Sequence, residues 1–93
     1  MKESYLQKQI IDFLNKEGYF TVKIIRCNKN GFPDIQAFHI DKPDLFIEVK
    51  IKGKKPSDLQ YYRLSELEKA GKVAFYTDSL PDFKNKYVQV LTN

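Results

Sequence analysis

Tryptophan is absent from the 93 residues, and cysteine, methionine and histidine occur once each. A lone cysteine, Cys27, excludes an internal disulfide and fits a reducing cytosol. It has no cysteine or histidine partner at zinc-ligand spacing. Only four glycines are present and none builds a phosphate-cradling loop, so no nucleotide cofactor is indicated. No apolar run approaches the ~20 residues a membrane span requires. The opening MKESYLQKQI is too polar for a secretory leader. Repeats, low-complexity tracts and linkers are also missing. These absences point to one domain over residues 1–93, cytoplasmic in its setting.

What is present is a modest core and a basic balance. Hydrophobic residues make up 42% and aromatics 14%, enough for a small interior. A chain of this length commonly gains stability from an oligomer interface or a ligand. Sixteen lysines and arginines against twelve acids leave a net charge of +4. That suits a polyanion, although ordinary solubility explains a charge of this size equally well. The distribution says more: Lys50, Lys52, Lys54 and Lys55 crowd into six residues.

Leu6, Ile10, Phe13 and Leu14 form an apolar stripe at helical spacing, predicting a helix over 4–17 that Gly18 ends. Ser4 and Gln7 have capping-box spacing. Strands are expected over 19–26, 34–40 and 44–51, with a turn-rich loop at 27–33. Ser57 and Gln60 open a second helix that runs to about residue 70. A strand over 73–77, a loop over 78–86 and a final strand over 87–91 complete an α-β-β-β-α-β-β order. The helix between the third and fourth strands implies a parallel crossover, and the first three strands read as an antiparallel meander. The fold class is α/β, a mixed central sheet flanked by helices, with an extra C-terminal strand.

The stretch GFPDIQAFHIDKPDLFIEVKIKG places acids where core strands should carry none. Asp34 opens one strand and Glu48 lies inside the next. Alternation sends Leu45, Ile47 and Val49 to one face, and Phe46, Glu48 and Lys50 to the other. Glu48 and Lys50 then lie ~7 Å apart along the strand. Counting outward from Lys42 sets Asp34 opposite Lys50, and a bulge would shift that pairing. Two carboxylates held together repel and resist burial unless a cation lies between them. Hard oxygen ligands suit Mg²⁺ or Mn²⁺, with the Val49 carbonyl able to complete the set. The plainer alternative is an Asp/Glu/Lys ion-pair cluster on an exposed sheet face.

Pro33-Asp34 followed by Glu48-Val49-Lys50 resembles the PD-(D/E)XK nuclease signature. Asp34 and Glu48 match its metal-binding acids, and Lys50 its catalytic lysine. GFPD, EVK and KKPSDLQ, with Ser57 and Gln60, resemble the VRR-NUC branch. ESYLQ, with Glu3 and Gln7, resembles the first helix of that branch. The likeness covers residues 3–77, and residues 78–93 carry no motif of the family.

The resemblance implies a restriction-endonuclease-like sheet and a Mg²⁺- or Mn²⁺-dependent endodeoxyribonuclease. Asp34, Glu48, Lys50 and Gln60 would be catalytic; Asp34, Glu48, Val49 and Glu3 would hold the metal. Small stand-alone members resemble Holliday-junction resolvases, which implies branched DNA as substrate, a homodimer, and a bacterial or phage-infected cell as the setting. Within that frame Lys52, Lys54 and Lys55 would grip the phosphate backbone without reading bases. A solvated loop is their bland alternative.

Gln60 has a local explanation as a capping residue, yet with Leu64 and Leu67 it lies on the face that should meet the sheet. Tyr61 and Tyr62 could stack on an unpaired base, although packing is their plainer role. His39 falls on the face opposite Asp34, so no ligand role is expected. Phe75, Tyr76, Phe83 and Tyr87 are candidates for an apolar dimer face. Two rivals stand beside the nuclease. One is a catalytically idle nucleic-acid-binding module of the same fold. The other is a restriction-type endonuclease, for which the chain has no evident base-reading domain.

Overall fold

The computed structural model describes residues 2–92. Its elements are α1 (Glu3–Lys16), β1 (Phe20–Lys23), β2 (Ile35–Phe38), β3 (Leu45–Val49), α2 (Asp58–Lys69), β4 (Val73–Thr77) and α3 (Leu80–Thr92). The strands form one sheet in the order β1-β2-β3-β4. β1 and β2 pair antiparallel, as do β2 and β3, while β3 and β4 pair parallel. The meander and the α2 crossover are as expected from the sequence, because a parallel neighbour requires a long connection.

Both faces of the sheet are covered in part. α1 and α3 pack on one face, where Leu6, Ile10 and Leu14 meet Ile35, Leu45 and Ile47. Phe13 joins the two helices through edge-on contacts with Phe83 and Tyr87, at 5.8 and 5.4 Å. α2 covers β3 and β4 on the other face, where Leu64 meets Phe46 and Ala74. α1 ends in a closed loop of hydrogen bonds: Tyr19 N–H donates to Leu14 O at 3.0 Å and Gly18 N–H to Asn15 O at 3.1 Å. That closure requires a left-handed residue, and Gly18 supplies it at φ +90°.

The C-terminal segment differs from expectation. Residues 78–91 hold no strand; α3 occupies Leu80–Thr92 instead of a loop followed by a strand. The YVQVL stretch alternates apolar and polar residues when read alone. Taken with the upstream residues, Leu80, Phe83, Tyr87 and Val90 recur at helical period, and all four meet the core. Ser79 caps this helix, its Oγ accepting from Asp82 N–H at 3.1 Å. The same finding takes Phe83 and Tyr87 out of the expected aromatic dimer face. Phe83 and Tyr87 are buried, with Phe75 stacked on Phe83 at 6.1 Å.

Candidate active site

The loop before β2 is locked to α2, and this sets where Asp34 stands. Arg63 Nε donates to Asn30 O at 2.9 Å. Gly31 adopts φ +77°, and a Cβ there would come within 2.9 Å of Leu59 Cγ, so only glycine lets the loop lie against α2. Phe32 packs edge-on against Phe46 at 6.0 Å, and Pro33 is fully buried. From the other side, Ile24 N–H donates to Asp34 O at 2.7 Å.

β2 and β3 pair Ile35 with Ile47. Extended by one residue, this register sets Asp34 across from Glu48, whereas counting from Lys42 had set it across from Lys50. The turn centres one residue earlier than that count assumed. Face and neighbourhood are unchanged, because a two-residue shift preserves the side of the sheet. Asp34 Oδ2 accepts from Val49 N–H at 2.9 Å, so the carboxylate is fastened to the end of β3.

Glu48 is the unusual group. It is only 2% exposed and lies on the α2 side of β3. Its Oε2 accepts from Gln60 Nε2 at 3.2 Å and lies 3.5 Å from Lys50 Nζ. Its Oε1 is buried with no hydrogen-bond partner among the described residues. Burial, and then the charge of Asp34, push the Glu48 carboxyl up to about 8, with the Lys50 ammonium offsetting part of the rise.

Gln60 therefore fills two roles at once. Ser57 N–H donates to its Oε1 at 2.8 Å, and its own N–H donates to Ser57 Oγ at 3.2 Å, a complete capping box. Its Nε2 is left to hold Glu48. Gln60 thus caps α2 and reaches the buried acid with the same side chain.

The basic loop leaves β3 directly beyond this cluster. Lys52, Lys54 and Lys55 are exposed, and Lys54 N–H closes a turn onto Ile51 O at 3.0 Å. Glu3 is not gathered with the two acids. Among the described residues no three Asp, Glu, His or Cys side chains form a metal-holding group. Gln7 is buried in α1, on the helix that covers the opposite sheet face. His39 accepts from Asp41 N–H through Nδ1 at 2.9 Å and packs on Tyr19, away from the acids. Tyr61 and Tyr62 remain half-exposed on α2.

Arg26 and Lys29 were passed over in the sequence. Both line a shallow depression of about 250 Å³ that also includes Asp34. Their signal was the RCNKNG run directly before GFPD, on the opposite side of the acids from the lysine-rich loop.

The donor set fits a hard divalent cation. Two carboxylates converge, one buried oxygen lacks a partner, and the chemistry is all oxygen. The nearest ammonium shares Oε2 with Gln60 and leaves Oε1 bare.

No family model matches the sequence, and no curated protein matches it. Solved structures do match in fold. One, described as a VRR_NUC domain, superposes with a TM-score of 0.80 at 23% identity, covering 89% of this chain and 90% of that one. Another, described as a VRR_NUC domain protein, gives 0.80 at 18% identity over 99% and 89%. This chain has the fold of a VRR-NUC domain.

Proposed function

We propose that the protein is a Mg²⁺- or Mn²⁺-dependent endonuclease that hydrolyses phosphodiester bonds in DNA. The observation that carries this reading is Glu48: a buried carboxyl with one oxygen unpartnered, beside Asp34 and Lys50. A purely structural acid would have both oxygens satisfied or would face water. An exposed ion-pair cluster, the plainer alternative, does not fit a residue 2% exposed.

Asp34, Glu48 and the Val49 carbonyl would hold the ion; bound there, it would polarise a phosphate oxygen and acidify a water. The chain's own groups do the positioning. Val49 N–H fixes Asp34 and Gln60 fixes Glu48, so neither carboxylate must be ordered when substrate arrives. Lys50, partly buried beside Glu48, stabilises negative charge that grows on the phosphate. Lys52, Lys54 and Lys55 on one side, and Arg26 and Lys29 on the other, neutralise backbone phosphates.

A homodimer acting on branched DNA is the finer form of this reading. It draws on Phe20, Ile25 and Ile40, which are 70%, 81% and 94% exposed, Phe20 on the sheet-edge strand β1. Paired across a two-fold axis, such a surface would set the spacing of two centres.

Calorimetric titration of Mn²⁺ into metal-free protein tests the centre without DNA. Saturable binding that is lost in Asp34→Asn and in Glu48→Gln is expected. Equal binding by all three proteins would remove the centre.

A further inference from the structure

A second cleft lies on the opposite face of the sheet, one residue beyond Lys50. It has a volume of about 560 Å³, and its walls are Leu6 of α1, Ile51 after β3, and Leu80 and Pro81 at the start of α3. Gln9 and Lys52 supply polar groups. Gln9 Oε1 is buried and has no hydrogen-bond partner among the described residues. Apart from Glu48 Oε1, it is the one such side-chain atom among the described residues.

Buried amide groups are almost always paired, because an unmet one costs about 1–3 kcal/mol. Leucine at this place would fill the same wall without that penalty. An unpaired buried polar atom beside apolar walls has the character of a ligand site: apolar surface for a ring, and a polar group to orient it. Lys52 ties the cleft to the basic loop, so a ring entering here would carry its phosphate toward that lysine. Asp78, which also lines the cleft, disfavours a phosphate at its own end.

We infer that this cleft takes an unpaired nucleobase of the DNA strand, close to the phosphate cut at the Asp34–Glu48 centre. The inference rests on the nuclease reading for that placement. Ile51 and Lys52 follow Glu48-Val49-Lys50 directly, so the cleft begins within a few residues of the centre along the chain, just past the end of β3. The volume admits a base with its sugar. Gln9 presents a carbonyl to ring or amino N–H groups, and its amide can turn over to meet a carbonyl, so the site orients a base without strict choice among bases. A duplex cannot offer a base to the cleft without unstacking it. DNA with unpaired nucleotides at a branch, gap or end offers one at low cost, and that would be the preferred substrate class.

The test uses deoxyadenosine monophosphate as probe and does not depend on cleavage. In ¹⁵N-labelled protein, added nucleotide should move the amide signals of Gln9, Ile51 and Leu80 saturably. Gln9→Leu should weaken this binding about tenfold while melting no lower than wild type. Leu80→Trp, which fills the cleft, should abolish it. Lys52→Ala should bring the nucleotide down to the affinity of deoxyadenosine, its phosphate-free counterpart. No saturable shift at these residues, or shifts that Gln9→Leu leaves unchanged, would overturn the inference. DNA cleavage is measured in parallel. A protein that cleaves yet ignores the nucleotide keeps the nuclease reading and loses this one. A protein that binds it but never cleaves loses the placement beside a cut phosphate.

Discussion

Glu48 is where burial and charge are most opposed, and its neighbours show how the opposition is managed. Gln60 and Lys50 share one oxygen while the other has no partner. In metal-free protein the folded carboxyl keeps its proton up to about pH 8, whereas the unfolded chain releases it near the ordinary glutamate value of 4.5. Between those values the folded state binds more protons, so stability falls as pH rises through this window and levels off above it. Glu48→Gln removes that slope. In chelating buffer it should melt close to wild type at acid pH and be more stable by about 2–4 kcal/mol at the alkaline end. Thermal melts across the range check this; parallel curves would refute the pushed-up carboxyl. Asp34→Ala and Glu48→Ala should both lose cleavage and keep their folded circular-dichroism spectra. Lys50→Ala should lose turnover but keep most of its DNA affinity if, as proposed, it acts on the transition state. Equal losses of both would make it a phosphate grip. The nearness of Asp34, Glu48 and Lys50 was legible in the sequence through strand alternation and the PD and EVK runs, and that of Gln60 through its helical spacing with Leu64 and Leu67. Glu3 was carried only by resemblance, and the described metal-type residues do not group around it.

Elements, more than individual contacts, aim these side chains. The loop ahead of β2 holds its shape through Gly31 against Leu59 and through Arg63 against Asn30. Gly31→Ala should destabilise the protein by about 1–3 kcal/mol and reduce cleavage by displacing Asp34, since both φ and contact oppose the added methyl. Denaturant unfolding checks the first part; an unchanged midpoint would mean the loop is not clamped. The sequence showed the glycine and the loop but not the partner, because Leu59 lies in a different element. The first three strands were legible in place and shorter in fact, since β-rich residues continue past the point where partners exist. α3 was missed because its final residues alternate, and only the full stretch from Leu80 shows a period of 3.6. The register of β2 on β3 depended on which residues form the turn, which no alternation pattern specifies.

At the scale of the whole molecule, the net charge of +4 is borne partly by Lys52, Lys54 and Lys55 on the β3–α2 loop, which make no ion pair among the described residues. Replacing Lys52, Lys54 and Lys55 with alanine should weaken DNA binding for every sequence and reduce the dependence of log affinity on log salt by up to about 3. An unchanged slope would take the loop out of the interface. Phe83 and Tyr87 are core, and Phe75 and Tyr76 pack partly buried against the core, so these aromatics offer little apolar surface to a second chain. Light scattering at micromolar concentration, with and without DNA, should give the mass of two chains; a monomer under both conditions would end the paired-site reading. The central claim is that Asp34 and Glu48 form a metal-dependent phosphodiester-cleaving centre. Its most direct test is incubation of purified protein with labelled branched and linear DNA in Mg²⁺, Mn²⁺ or EDTA, beside Glu48→Gln. The account predicts cut strands with either metal, none in EDTA and none from the variant. Intact DNA in every lane, or equal cutting by the variant, would contradict it.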